Sequence, residues 1–181
     1  LWKVPYSYDI LEVLGILGAS RHTSVNTKVD LCNLYCKLLE MEPPEDVVTE
    51  LQTEDGIVYV FGKEIEFDTV VLPLAVQGME QLYLSENCTD ALRDRIVKQL
   101  LTSWAGVSSY RVIWGKSATD ALLTALSRIG SFDATPLEVK VQVGWALARE
   151  IRRIVVLEPL AEICCQRDDS PELNKLTVEA A

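Results

Sequence analysis

A single histidine, His22, stands in the chain, so any imidazole-based proton transfer or Cys–His nucleophile pair must use it. It lies in Arg21-His22-Thr23-Ser24, a polar loop. Loops of this kind carry catalytic groups on a rigid scaffold, and they also simply join helices. Cysteine is the other nucleophile to weigh. Cys88 directly precedes Thr89, a helix-capping position, and the start of a helix stabilises a thiolate. A small Cys- or His-dependent enzyme is therefore one function class that these residues allow.

The chain has five cysteines, an odd number with no spacing that reads as a framework of bridges. Cys32 and Cys36 share a helix face, since residues four apart are neighbours. Tetrahedral zinc needs four N or S ligands, and neither His22 nor the adjacent Cys164-Cys165 pair stands at a spacing that such sites use. Cysteine as a small buried hydrophobe accounts for the pattern better. No metal and no cofactor is expected, and unbridged thiols suit the cytoplasm or another reducing compartment.

Gly115-Lys116-Ser117, ahead of a helix, has the end of a phosphate-binding loop but not its beginning. That loop needs a glycine five residues before the second one, and position 110 is Tyr. The acidic pairs Glu45/Asp46, Glu54/Asp55, Glu64/Glu66 and Asp168/Asp169 are not embedded in apolar runs, so solvated turns explain them better than acid–base chemistry.

The basic clusters carry more. Arg149, Arg152 and Arg153 fall within one arc of a predicted amphipathic helix, with Leu147, Ile151, Ile154 and Val155 turned away. Arg93, Arg95 and Lys98 form a second cluster on a helix that Thr89 caps. Guanidinium forks suit carboxylate and phosphate alike, so these six residues are the candidate binding face. A solvated helix face paired with Glu150 and Asp94 is the plain alternative.

Charge is divided unevenly along the chain. Residues 1–90 carry 5 Lys/Arg against 16 Asp/Glu, whereas residues 91–181 carry 12 against 11, within a net charge of −10. Phosphate would be repelled by the first half, which argues against the whole surface binding nucleic acid. The same polarity permits head-to-tail self-association, acidic half to basic patch.

The elements that must position these residues read as short helices. With 49% apolar residues and a slightly positive mean hydropathy, the composition is globular. At 181 residues one domain can bury a core without metal or bridges; any subdomain boundary falls in the acidic, proline-containing stretch 42–55. No run reaches the roughly 18 apolar residues of a membrane span. Ser7 caps a helix over 8–17 that Gly18 ends. Thr27 with Asp30 has a capping-box pattern, and Pro43-Pro44 stops that helix and opens another through Leu51. Residues 57–61 and 64–67, around Gly62-Lys63, read as a hairpin. A helix begins near Pro73, and Thr89 caps one that carries Leu92, Ile96, Leu100 and Trp104. Ser117 with Asp120 opens a helix over 121–129 that Gly130 ends.

Thr135-Pro136-Leu137-Glu138 signals a helix start, yet Leu137, Val139, Val141, Val143 and Trp145 alternate like a strand. Capping favours a helix through about Leu157, broken at Pro159, with Ser170-Pro171 opening a last one. The expected fold is mainly α, an irregular multi-helix domain with one small β-hairpin (57–67). It becomes α+β if 110–114 and 137–145 are strands. With no assembled catalytic set, the leading expectation is a non-catalytic helical assembly domain with a protein partner, itself or another. The alternatives are a nucleic-acid-packaging subunit, such as a viral nucleocapsid or coat protein, using the Arg149/Arg152/Arg153 face, and the small enzyme above.

Overall fold

The first helix, α1 (Ser7–Ala19), is followed by α2 (Val25–Glu40) in a computed structural model that describes residues 7–41, 48–53, 56–61, 67–109 and 114–150. Between these helices the Thr23 hydroxyl donates to the Leu17 carbonyl, satisfying one of the carbonyls a helix end leaves open. Ser24, not Thr27, caps α2: its hydroxyl oxygen accepts from the Thr27 N–H at 3.1 Å. Thr27 lies inside the first turn, its hydroxyl 2.9 Å from that of Ser24. The Asn87 side-chain amide donates to the Arg21 and Thr23 carbonyls at 3.0 and 3.1 Å. That pins the His22 loop to the turn around Asn87.

Strand β1 (Val48–Thr53) pairs antiparallel with β2 (Gly56–Phe61), Leu51 opposite Val58. The expected hairpin around Gly62-Lys63 is not what the described residues show. Its first strand, 57–61, pairs backwards with 48–53 instead, and Phe67 opens a π-helical turn, Phe67–Val71. The β-branched residues Val48 and Thr49 favour an extended chain over the expected helix through Leu51. Residues 62–66 of the expected hairpin lie outside the described residues.

The π-helical turn runs directly into α3 (Leu72–Leu84), with Pro73 in the first turn where its missing N–H is harmless. Next is α4 (Asp90–Ser108), capped as expected: the Thr89 hydroxyl oxygen accepts from the Leu92 N–H at 3.3 Å. Helix α5 (Lys116–Ser131) starts two residues earlier than Ser117 would cap it. Gly115 is the capping residue, and Gly130 is inside the last turn rather than beyond it.

The conflict at 137–145 resolves in favour of helix, as α6 (Leu137–Ala148). The alternating valines are incidental, because Lys140, Val143, Gly144, Ala146 and Leu147 form the buried side at helical spacing. Thr135 does not cap this helix. Its hydroxyl donates to the Ile129 carbonyl at 2.7 Å and accepts from the Tyr83 hydroxyl at 2.9 Å. The mainly helical expectation therefore holds. The expected continuation to Leu157 lies outside the described residues, as do 110–113 and the helix expected after Ser170.

Helix α3 is the centre of the packing. It lies against α1, α2, α4 and α5, while α6 packs on α5 and α4. Ala75, Val76, Met79 and Leu82 of α3 are completely buried, together with Tyr35, Ile96, Leu100, Leu122, Leu126 and Leu147. Each large side chain so buried contributes about 1.5–3 kcal/mol. Gly78 lets the Tyr35 ring lie directly on the α3 backbone, where a Cβ would overlap it. Gly15 brings α1 equally close: a Cβ there would stand 3.9 Å from the Gly78 Cα and 2.7 Å from the Gln81 side-chain oxygen. No helix among the described residues is long and apolar enough to cross a membrane.

Candidate functional site

The basic cluster expected on α4 is dispersed by the structure. At 100° per residue Arg93 points well away from Arg95 and Lys98, and it is engaged inside the molecule. Its Nε donates to the Tyr83 carbonyl at 3.2 Å and its Nη2 to the Ser85 carbonyl at 3.4 Å. The guanidinium lies over the rings of Tyr83 and Phe132, 5.7 and 5.8 Å from their centroids. Arg93 thereby closes the C-terminal end of α3, where carbonyls and partial negative charge favour a cation. Lys98 pairs with Asp94 at 2.9 Å on an exposed helix face, a contact of small energetic weight. Arg95 is also exposed and lies toward Cys36 of α2.

Beneath that corner is a group to which no sequence motif points. Lys28 is completely buried, and its Nζ donates to the Ser85 hydroxyl at 2.7 Å. The Ser85 hydroxyl in turn donates to the Leu82 carbonyl at 2.7 Å. Burial pushes the Lys28 ammonium below the usual lysine range, against the opposing pull of nearby Cys88. A lysine touching a serine can activate it as a nucleophile, but both are buried here and the serine proton is already held by a carbonyl. The pair therefore joins α2 to the end of α3. The sequence did hold one signal: Lys28 stands four and eight residues before Cys32 and Cys36, on the same buried face.

The cysteines follow suit. Cys32, Cys36 and Cys88 are free and buried. The Cys32 thiol, hydrogen-bonded to Cys36, draws the Cys36 thiol below the usual cysteine range, with Arg95 adding to the effect and burial opposing it; Cys32 is pushed up in return. Burial also pushes Cys88 up, against Arg93 and Lys28. Cys88 is thus held as a thiol, the reverse of what its place before Thr89 suggested. His22 is exposed, and among the described residues its imidazole accepts only from Arg21 Nε, at 3.3 Å. Among the described residues no three His, Cys, Asp or Glu side chains are grouped to hold a metal ion.

Arg149 is the residue that closes α6, and it is exposed. Arg152 and Arg153, the rest of the expected three-arginine arc, lie outside the described residues. A cleft of about 230 Å³ opens between α3, α4 and α6, lined by Tyr83, Asp90, Arg93, Asp94, Val97, Pro136, Glu138 and Val139. Its one cation is Arg93, already bonded to backbone carbonyls.

The feature that sequence reasoning missed is on α1. Its inner face sets Leu11, Leu14, Gly15 and Gly18 toward α3. On the opposite face Ile10, Val13, Ile16 and Leu17 are 54, 60, 64 and 44% exposed. At 100° per residue these four fall within an arc of about 120°. Asp9 and Glu12, both exposed, border them. The signal was present as apolar residues on every side of one short helix, a pattern proper to a helix buried all round. No family model, no curated protein and no solved structure matches the chain.

Proposed function

We propose that the chain is a non-catalytic helical assembly domain that self-associates through the outer face of α1. The observation that carries this reading is the apolar arc Ile10–Val13–Ile16–Leu17, exposed on a helix whose other side is already packed. Scattered exposed apolar residues are ordinary, but a contiguous stripe of β-branched and leucine side chains marks a contact surface.

Charge narrows what such a surface takes. Asp9 and Glu12 border the stripe on a chain of net charge −10, which repels phosphate and anionic lipid alike. Membrane-surface helices instead carry Lys and Arg beside their apolar face. The nucleic-acid reading rests on the Arg149/Arg152/Arg153 face; of the second basic cluster, Arg93 and Lys98 are engaged with Tyr83, Ser85 and Asp94. The enzyme reading needed a reactive Cys88 or a partnered His22, and burial of Cys88 with isolation of His22 works against both. The free thiols accord with a reducing compartment.

Light scattering behind a sizing column, over a range of protein concentrations and at low and high salt, tests the reading on the wild-type chain. A molar mass of two or more chains that rises with concentration is expected. A single-chain mass at every concentration would overturn it.

A further inference from the structure

We propose that the occupant of the α1 outer face is the segment 149–157 of a second copy, so that copies join head to tail. This rests on the assembly reading above and names its partner. The segment reads Arg149-Glu150-Ile151-Arg152-Arg153-Ile154-Val155-Val156-Leu157. It combines three arginines with five apolar residues, the complement of an apolar stripe bordered by Asp9 and Glu12. Guanidinium forks match carboxylates bidentately, and the apolar residues supply the area that charge pairs alone do not.

Geometry favours another copy over the same one. Leu74 and Gln81 project from α3 toward α1. Tyr83 projects from the other side, to Thr135 at the start of α6. Helix α6 packs on α5 and α4, and α1 on α3 and α2. The end of α6 and the outer face of α1 are thus separated by successive interhelical spacings of 8–10 Å, on the order of 20 Å in all. Four residues beyond Arg149, Arg153 can stand at most about 14 Å from it. An in-chain contact would therefore need the segment drawn out straight toward α1 with no slack, at the full conformational cost of an extended chain, whereas a neighbour's segment meets the face free of that constraint. Two different patches meeting in this way make a heterologous contact, which closes into a ring or extends as a filament.

Such a contact has a signature in mixtures. Val13→Asp/Ile16→Asp removes the receiving face, and Arg152→Glu/Arg153→Glu removes the inserted segment. All four positions are altered in full-length chains checked for unchanged helicity by circular dichroism. Each variant alone is expected to run at the mass of one chain. An equimolar mixture is expected to give a capped pair at twice that mass, because one intact face meets one intact segment. Glu12→Lys is expected to weaken assembly at least tenfold, and adding Arg152→Glu/Arg153→Glu to that same chain to restore it.

A mixture that stays at the mass of one chain overturns the proposal. So does an Arg152→Glu/Arg153→Glu chain that still assembles while Val13→Asp/Ile16→Asp does not. That last result would leave the α1 assembly reading standing and make a second α1 the partner. Loss of assembly in neither variant would remove both readings.

Discussion

The corner where α3 meets α4 and the outer face of α1 treat their side chains in opposite ways. At the corner, groups that usually face water are drawn inward and bonded: Lys28 to Ser85, Arg93 to two carbonyls and two rings, Tyr83 to Thr135. On α1, groups that usually turn inward face out, Ile16 at 64% exposure. Arg93, placed by sequence on a binding face, holds the fold, and apolar residues of a short helix are left for another surface. A charged residue is thus evidence of a binding face only once its partners within the chain are known.

The contrast can be broken first at its most crowded point. Gly78→Ala puts a methyl group into the Tyr35 ring, and overpacking of that kind costs about 3 kcal/mol. Chemical denaturation should show that loss; an unchanged midpoint would mean the two helices are less close than described. Arg93→Ala comes next, removing two charge-assisted bonds from the end of α3 at about 2 kcal/mol. Arg93→Lys should recover only part of it, since an ammonium cannot fork to both carbonyls while lying on the rings.

Lys28→Met is the sharper probe of the corner. It replaces a desolvated ammonium with an apolar chain of similar length, and Ser85 keeps its bond to Leu82. Equal or greater stability at neutral pH is expected, by up to about 1 kcal/mol. The pH dependence has a definite sign. Lys28 has a lower pKa folded than unfolded, so between the two values the unfolded chain binds more protons and wild-type stability rises with pH. Below the folded value the penalty is complete. The advantage of Lys28→Met over wild type should therefore be largest at pH 6 and shrink toward pH 10; an advantage that grows with pH would contradict the burial of the charge. The smallest effect is reserved for α1: Val13→Asp/Ile16→Asp should change the stability of the single chain by no more than about 0.5 kcal/mol, because the altered side chains meet water.

Helix content was legible where local chemistry acts alone, as at Thr89 and Pro73, whose side chains do what their types favour. It was misplaced where a side chain had two uses. Thr135 bonds Ile129 and Tyr83 instead of capping α6, and Ser24 takes the capping place that Thr27 with Asp30 suggested. The strand-like alternation of 137–145 lost to a helix because its buried side recurs every three to four residues. Of the six basic residues singled out, Arg93 points inward, Lys98 pairs with Asp94 and Arg149 closes a helix, while Arg152 and Arg153 lie outside the described residues. The α1 stripe was legible only as part of a helix over 8–17, because its residues are core types and only exposure shows that they face outward.

Sedimentation velocity on wild type against Val13→Asp/Ile16→Asp, at equal concentration and equal helicity, tests the central claim most directly. The account requires the wild type to sediment as an assembly and the double variant as one chain. Identical sedimentation of the two would contradict it, and would mean that the exposed face of α1 holds nothing together.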